Sequence, residues 1–139
     1  MEQNRFILDS YAILAFLQGT PGVEQVKKLL LEASGEQCQL FVSIVNVGEV
    51  LYLIERENDL FAAQEALARI DELPIKVIDI NRAHTIVASH LKAGGRISFA
   101  DCYAAALGIM NQATVVTGDP EFKRLESASI ISVLWLIDD

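Results

Sequence analysis

The chain has 139 residues, 52% of them hydrophobic, enough for one domain, residues 1–139, with a substantial core. Nineteen acids against eleven bases give a formal net charge of −8, which argues against a general affinity for polyanions and so against a DNA-packaging or scaffold role. No apolar run reaches the ~18–20 residues of a membrane span. Met1-Glu2-Gln3-Asn4-Arg5 lacks the basic-then-apolar order of a secretory leader, so the expected setting is cytoplasmic, with no membrane partner. Cys38 and Cys102 have no metal-ligand spacing and are expected to be buried free thiols.

In chain order, Arg5–Leu8 is a short apolar run that stops at Asp9-Ser10 and gives way to a helical stretch, Tyr11–Leu17. Gly19-Thr20-Pro21-Gly22 breaks the chain, with Thr20 as the expected N-cap and Pro21 at the first helical position. Val23, Val26, Leu29 and Leu30 then mark one face of a helix running to Ala33. Leu40–Val42 predicts a second strand. Ser43 caps a helix to about Glu57, and Asp59 another to about Leu73, before Pro74 ends it. Ile75–Ile80 predicts a third strand, followed by a helix from Asn81 to about Lys92. After the Gly94-Gly95 break, Ser98 opens an alanine-rich helix to about Asn111. Thr114–Thr117 is a fourth strand, a short turn or helix lies near Glu121–Leu125, and Ile130–Ile137 is a last strand.

Short strands that are apolar on both faces and alternate with helices imply an α/β fold. Its expected form is a three-layer sandwich with a mostly parallel central sheet of about five strands. Such sheets bind ligands at the carboxyl ends of their strands, near a topological switch point. Asp9 and Asp119 each follow a strand, while Glu49 and Asp101 fall in the opening turns of helices. Each has an ordinary explanation: Asp9 as a helix cap, Glu49 as a solvated side chain, Asp101 in a Ser98-x-x-Asp101 cap, Asp119 in a Gly-Asp-Pro turn. Together they form a set that all four explanations leave unconnected. Carboxylates at ~5 Å in an effective dielectric of ~20 repel by roughly 3 kcal/mol per pair. A gathered set therefore needs protons or a cation, and Mg²⁺ or Mn²⁺ prefers carboxylate oxygen. Zinc fits less well, because His84 and His90 are six residues apart, off a shared helix face.

The series Leu8-Asp9-Ser10, Ser43 with Glu49, Asp101 before an alanine-rich helix, and Thr117-Gly118-Asp119-Pro120-Glu121-Phe122 resembles the PIN-domain family. It is most similar to the small stand-alone members typified by VapC toxins of toxin–antitoxin pairs. The resemblance spans nearly the whole chain. It implies a Mg²⁺- or Mn²⁺-dependent endoribonuclease that cuts single-stranded or loop RNA. It also implies an acidic metal pocket made by Asp9, Glu49, Asp101 and Asp119, with Ser10 and Thr117 as polar supports. Tyr11 departs from the Ser, Thr or Asn often found second after the first aspartate. Partners implied are an RNA substrate, a small antitoxin and a second copy of the chain.

Lys92, Arg96, Lys123 and Arg124 flank the acidic motifs and are candidates for holding an RNA backbone, with solvated surface charge as the plainer explanation. The apolar faces of the Val23–Ala33 and Asp59–Leu73 helices are candidates for a homodimer or antitoxin groove, though core packing accounts for the same residues. A non-catalytic PIN-like module that binds RNA or protein is the alternative. A response-regulator receiver would need an acid beside Asp9 and a lysine after a late strand, and has neither.

Overall fold

Each of the five short apolar runs forms a strand, and in the computed structural model, which describes residues 4–136, all of them run parallel. The elements are β1 (Asn4–Leu8), α1 (Ser10–Gln18), α2 (Val23–Ser34), β2 (Cys38–Ser43), α3 (Ile44–Glu57), α4 (Leu60–Glu72) and β3 (Lys76–Ile78). They continue with α5 (Arg82–Ala93), α6 (Phe99–Met110), β4 (Thr114–Thr117), a 3₁₀ turn at Pro120–Phe122, α7 (Lys123–Ser127) and β5 (Val133–Trp135). The sheet order is β3-β2-β1-β4-β5. The chain winds outward from β1 to β3, then returns to place β4 on the other side of β1, so the switch point lies between β1 and β4.

Alternation along each strand assigns its side chains to two cores. Leu8, Leu40, Val42 and Val116 pack on α1, α2, α3 and α4. Ile7, Phe41 and Val115 face the opposite way, onto α5, α6 and α7. Helices therefore cover both faces, which is why neither face shows a polar alternation. Helix α6 is buried nearly all round, with Ala104, Ala105 and Ala106 inaccessible. Its Gly108 lets it approach β4: a Cβ there would stand 3.0 Å from Val115 Cγ2.

The expected caps Ser43, Asp59, Asn81 and Ser98 all accept a backbone N–H two or three positions into their helices. Thr20 does not cap α2. That place belongs to Gly22, whose φ of 97° suits glycine and lets the chain turn against Leu136. Strand β3 is shorter than expected because only Lys76–Ile78 pairs with β2, and β5 begins later, at Val133. Ile137, expected to end the last strand, lies outside the described residues.

Candidate metal centre

β1 and β4 are neighbours in the sheet, with Leu8 level with Val116. The residues that follow them, Asp9 and the Thr117-Gly118-Asp119 turn, therefore leave the same edge side by side. Asp9 does cap α1, but with one oxygen: Oδ1 accepts the Ala12 N–H at 2.9 Å. Its Oδ2 is wholly buried and has no hydrogen-bond partner. Burial pushes the Asp9 carboxyl up to about 7, aided by the charges of Asp119 and Glu49. The Ala12 amide and the nearby Thr117 hydroxyl pull the other way, although Thr117 makes no hydrogen bond to Oδ2.

Asp101 is brought in by α6, and the cap at that helix explains why its carboxylate is free. Ser98 Oγ accepts the Asp101 N–H at 3.1 Å, as expected of an N-cap. The reciprocal acid of a capping box is not Asp101. Glu121 from the 3₁₀ turn takes the Ser98 N–H at 3.2 Å. Asp101, 5% exposed, can then turn toward the other acids. Burial, then the charge of Asp9 and the facing Asp119 carboxyl, raise it to about 8.

Asp119 is fixed by its own turn: its N–H donates to Thr117 Oγ1, and its Oδ1 accepts the Glu121 N–H, both at 2.9 Å. Phe122 is completely buried against the α6 side of the sheet and anchors that turn. Carboxylate oxygens of Asp101, Asp119 and Glu121 lie within 4.8 Å of one another. Glu121 was not among the expected site residues. Its signal was its place two residues after Asp119, masked because exposed acids beside a turn are common. Glu49, on α3, is partly exposed, accepts the Tyr52 hydroxyl at 3.5 Å, and is near enough to act on Asp9 by charge. The structure thus gathers Asp101, Asp119 and Glu121 most tightly, with Asp9 buried near enough to act on Asp101 and Asp119 by charge and Glu49 at the margin.

Behind the acids sits Asn46, which is inaccessible to solvent. Its amide donates to Ser10 Oγ at 3.1 Å and to the Ala100 carbonyl at 3.2 Å, while Ser43 donates to its Oδ1 at 2.6 Å. One side chain therefore ties the starts of α1, α3 and α6, the helices that carry Asp9, Glu49 and Asp101. Ser10, buried, supports the site through this network. His84 serves in the α5 capping box, accepting the Asn81 N–H. Arg124 packs over Gly95, where a Cβ would be 2.8 Å from its Nε, and donates to the Leu91 carbonyl, so it braces the α5–α6 loop. Lys92, Arg96 and Lys123 are exposed, and both cysteines are buried and free.

The PIN-domain pattern matches residues 6–128. This chain belongs to the PIN-domain family. No curated protein matches it by sequence. Its fold is shared with VapBC2 from Rickettsia felis bound to a DNA fragment of its promoter, at TM-score 0.76 and 19% identity, covering 96% of this chain and 99% of that one. DNA-bound VapBC from Salmonella typhimurium gives 0.73 and 16% over 97% and 100%. Mycobacterium tuberculosis VapC20, described as a toxin cleaving the sarcin-ricin loop, gives 0.69 and 16% over 86% and 93%. At such low identity the superpositions show a common fold and nothing beyond it. Among the described residues no helix is long and apolar enough to cross a membrane.

Proposed function

We propose that residues 1–139 form one PIN-like nuclease domain, a Mg²⁺- or Mn²⁺-dependent endoribonuclease acting on single-stranded or loop RNA in the cytoplasm as the toxin of a toxin–antitoxin pair. The observation that carries this is the orphaned, fully buried Asp9 Oδ2 beside the Asp101 and Asp119 carboxyls. A buried oxygen with no donor costs about 1–3 kcal/mol, more if charged. A cation ligated by these acids offsets that cost, so the residues present fit a hard divalent ion.

In this reading Asp9, Asp101 and Asp119 hold the ion, with Glu49 and Glu121 on either flank. When bound, the ion would acidify a water and offset the charge gathering on the phosphate under attack. The chain's own residues do the rest. Thr117 holds the backbone of Asp119 so that its carboxylate faces Asp101, and Glu121 takes over the cap bond that would otherwise occupy Asp101. Glu49, partly exposed and bonded by Tyr52, would orient the attacking water and accept its proton. The Asn46 network keeps the three helix starts in register.

Support for RNA comes from the fold shared with VapC20, a toxin that cleaves the sarcin-ricin loop, and support for an antitoxin from the VapBC complexes. Retention of all four expected acids favours catalysis over the non-catalytic alternative. The test is cleavage of single-stranded RNA with Mg²⁺ or Mn²⁺. EDTA is expected to abolish it, and Asp101→Asn to lower it at least ~10²-fold. Activity that persists with the chelator, or in Asp101→Asn, overturns the proposal.

A further inference from the structure

Four aromatic side chains among the described residues are strongly exposed: Tyr11, Tyr52, Phe61 and Phe99. Three of them are close to the acids in the chain. Tyr11 is two residues after Asp9, Tyr52 three after Glu49, and Phe99 two before Asp101. They are 40%, 49% and 44% exposed, so none serves the core. Single exposed apolar residues need no explanation, but three rings on the helices that carry these acids do.

Each ring is held in place. Tyr11 lies on Gly118: a Cβ there would stand 2.3 Å from Cε1 and 2.5 Å from Cζ, so the missing side chain before Asp119 is the seat of the ring. Tyr52 is tied to Glu49 by its hydroxyl and has the Arg56 guanidinium 5.2 Å from its ring centre. Phe99 leans on Tyr103, with ring centres 5.0 Å apart and planes tilted by 54°. Rings that are fixed yet open to solvent lose little freedom on binding a flat partner.

The chain's charge adds a second argument. At −8, the protein offers a nucleic acid little of the phosphate attraction that usually dominates binding. Unpaired bases have π-faces that aromatic side chains can stack on, independent of sequence, whereas paired bases hide them.

We infer that Tyr11, Tyr52 and Phe99 form a stacking platform that grips unpaired nucleobases on either side of the phosphate at the acidic centre. This rests on the nuclease reading and adds to it the element that selects single strands. Affinity then depends on bases more than on phosphates, and falls only shallowly with added salt.

The test measures anisotropy of a labelled ten-nucleotide single-stranded RNA, about one site's length, with Ca²⁺ replacing Mg²⁺ to neutralise the acids without turnover. Tyr11→Leu, Tyr52→Leu and Phe99→Leu should each weaken binding roughly tenfold, and Tyr11→Phe and Phe99→Tyr by less than about twofold. An RNA with abasic spacers at its centre should bind the wild type as weakly as the leucine variants bind the intact strand. Urea midpoints confirm that each variant is folded. If the wild type binds RNA and the leucine variants bind it equally well, the platform is refuted while the nuclease reading stands. If the wild type neither binds single-stranded RNA nor cuts it with Mn²⁺, both fall.

Discussion

Replacing Asp9 by Asn tests the buried acid directly, because the two side chains have nearly the same shape and differ in charge. Burial holds the Asp9 carboxyl at about 7 against an ordinary 3.8. A folded pKa above the unfolded one means that the folded state retains the proton longer. The stability linked to Asp9 is therefore complete below about pH 4 and is lost as pH rises toward about 7. The full loss is about 4 kcal/mol, and roughly 2 kcal/mol of it falls between about pH 5.5 and about pH 8. Urea unfolding in EDTA should show the Asp9→Asn protein gaining on the wild type by about 2 kcal/mol across that interval. Asp101, raised for related reasons, makes the wild type's own decline steeper without altering the sign. Adding Mn²⁺ at the higher pH should reverse the order, since only the wild type keeps the acid that draws the ion in. A stability difference that stays flat between the two pH values, or a metal-free wild type that is firmer at the higher one, refutes the account of Asp9 as an unpaired buried acid.

Calorimetric titration with Mn²⁺ should find Glu121→Gln weakened about tenfold and Glu49→Gln less, because Glu121 is the acid that lies within 4.8 Å of Asp101 and Asp119. Equal losses would return Glu49 to the ion's immediate surroundings. Asn46→Ala strips three helix starts of their common tie and should cost ~3 kcal/mol in urea unfolding; a loss under ~1 kcal/mol would show that the network is dispensable. Phe122→Ala removes a fully buried ring and should cost about 3–5 kcal/mol, with RNA cleavage falling as the Asp119 turn loosens. Retained stability there would mean that the turn holds itself.

Much of this protein is local information. The apolar runs of β1, β2 and β4, the caps at Ser43, Asp59, Asn81 and Ser98, and the order Asp9, Glu49, Asp101, Asp119 are set by short-range preferences and by residue type. They are readable because backbone sterics and hydrogen bonding act within a few residues. What needed three dimensions was adjacency. That β4 returns to pair with β1, so that Asp9 and Asp119 leave one edge together, depends on sheet order. That Asp9 caps a helix with one oxygen while the other is left buried without a donor depends on packing around the strand ends. Glu121 relieving Asp101 of its capping duty, and Asn46 binding three helices, are contacts across 23, 36 and 54 residues of chain. A linear pattern names the acids; only packing decides which of them meet, because electrostatic cost and metal affinity depend on distances that sequence separation does not encode.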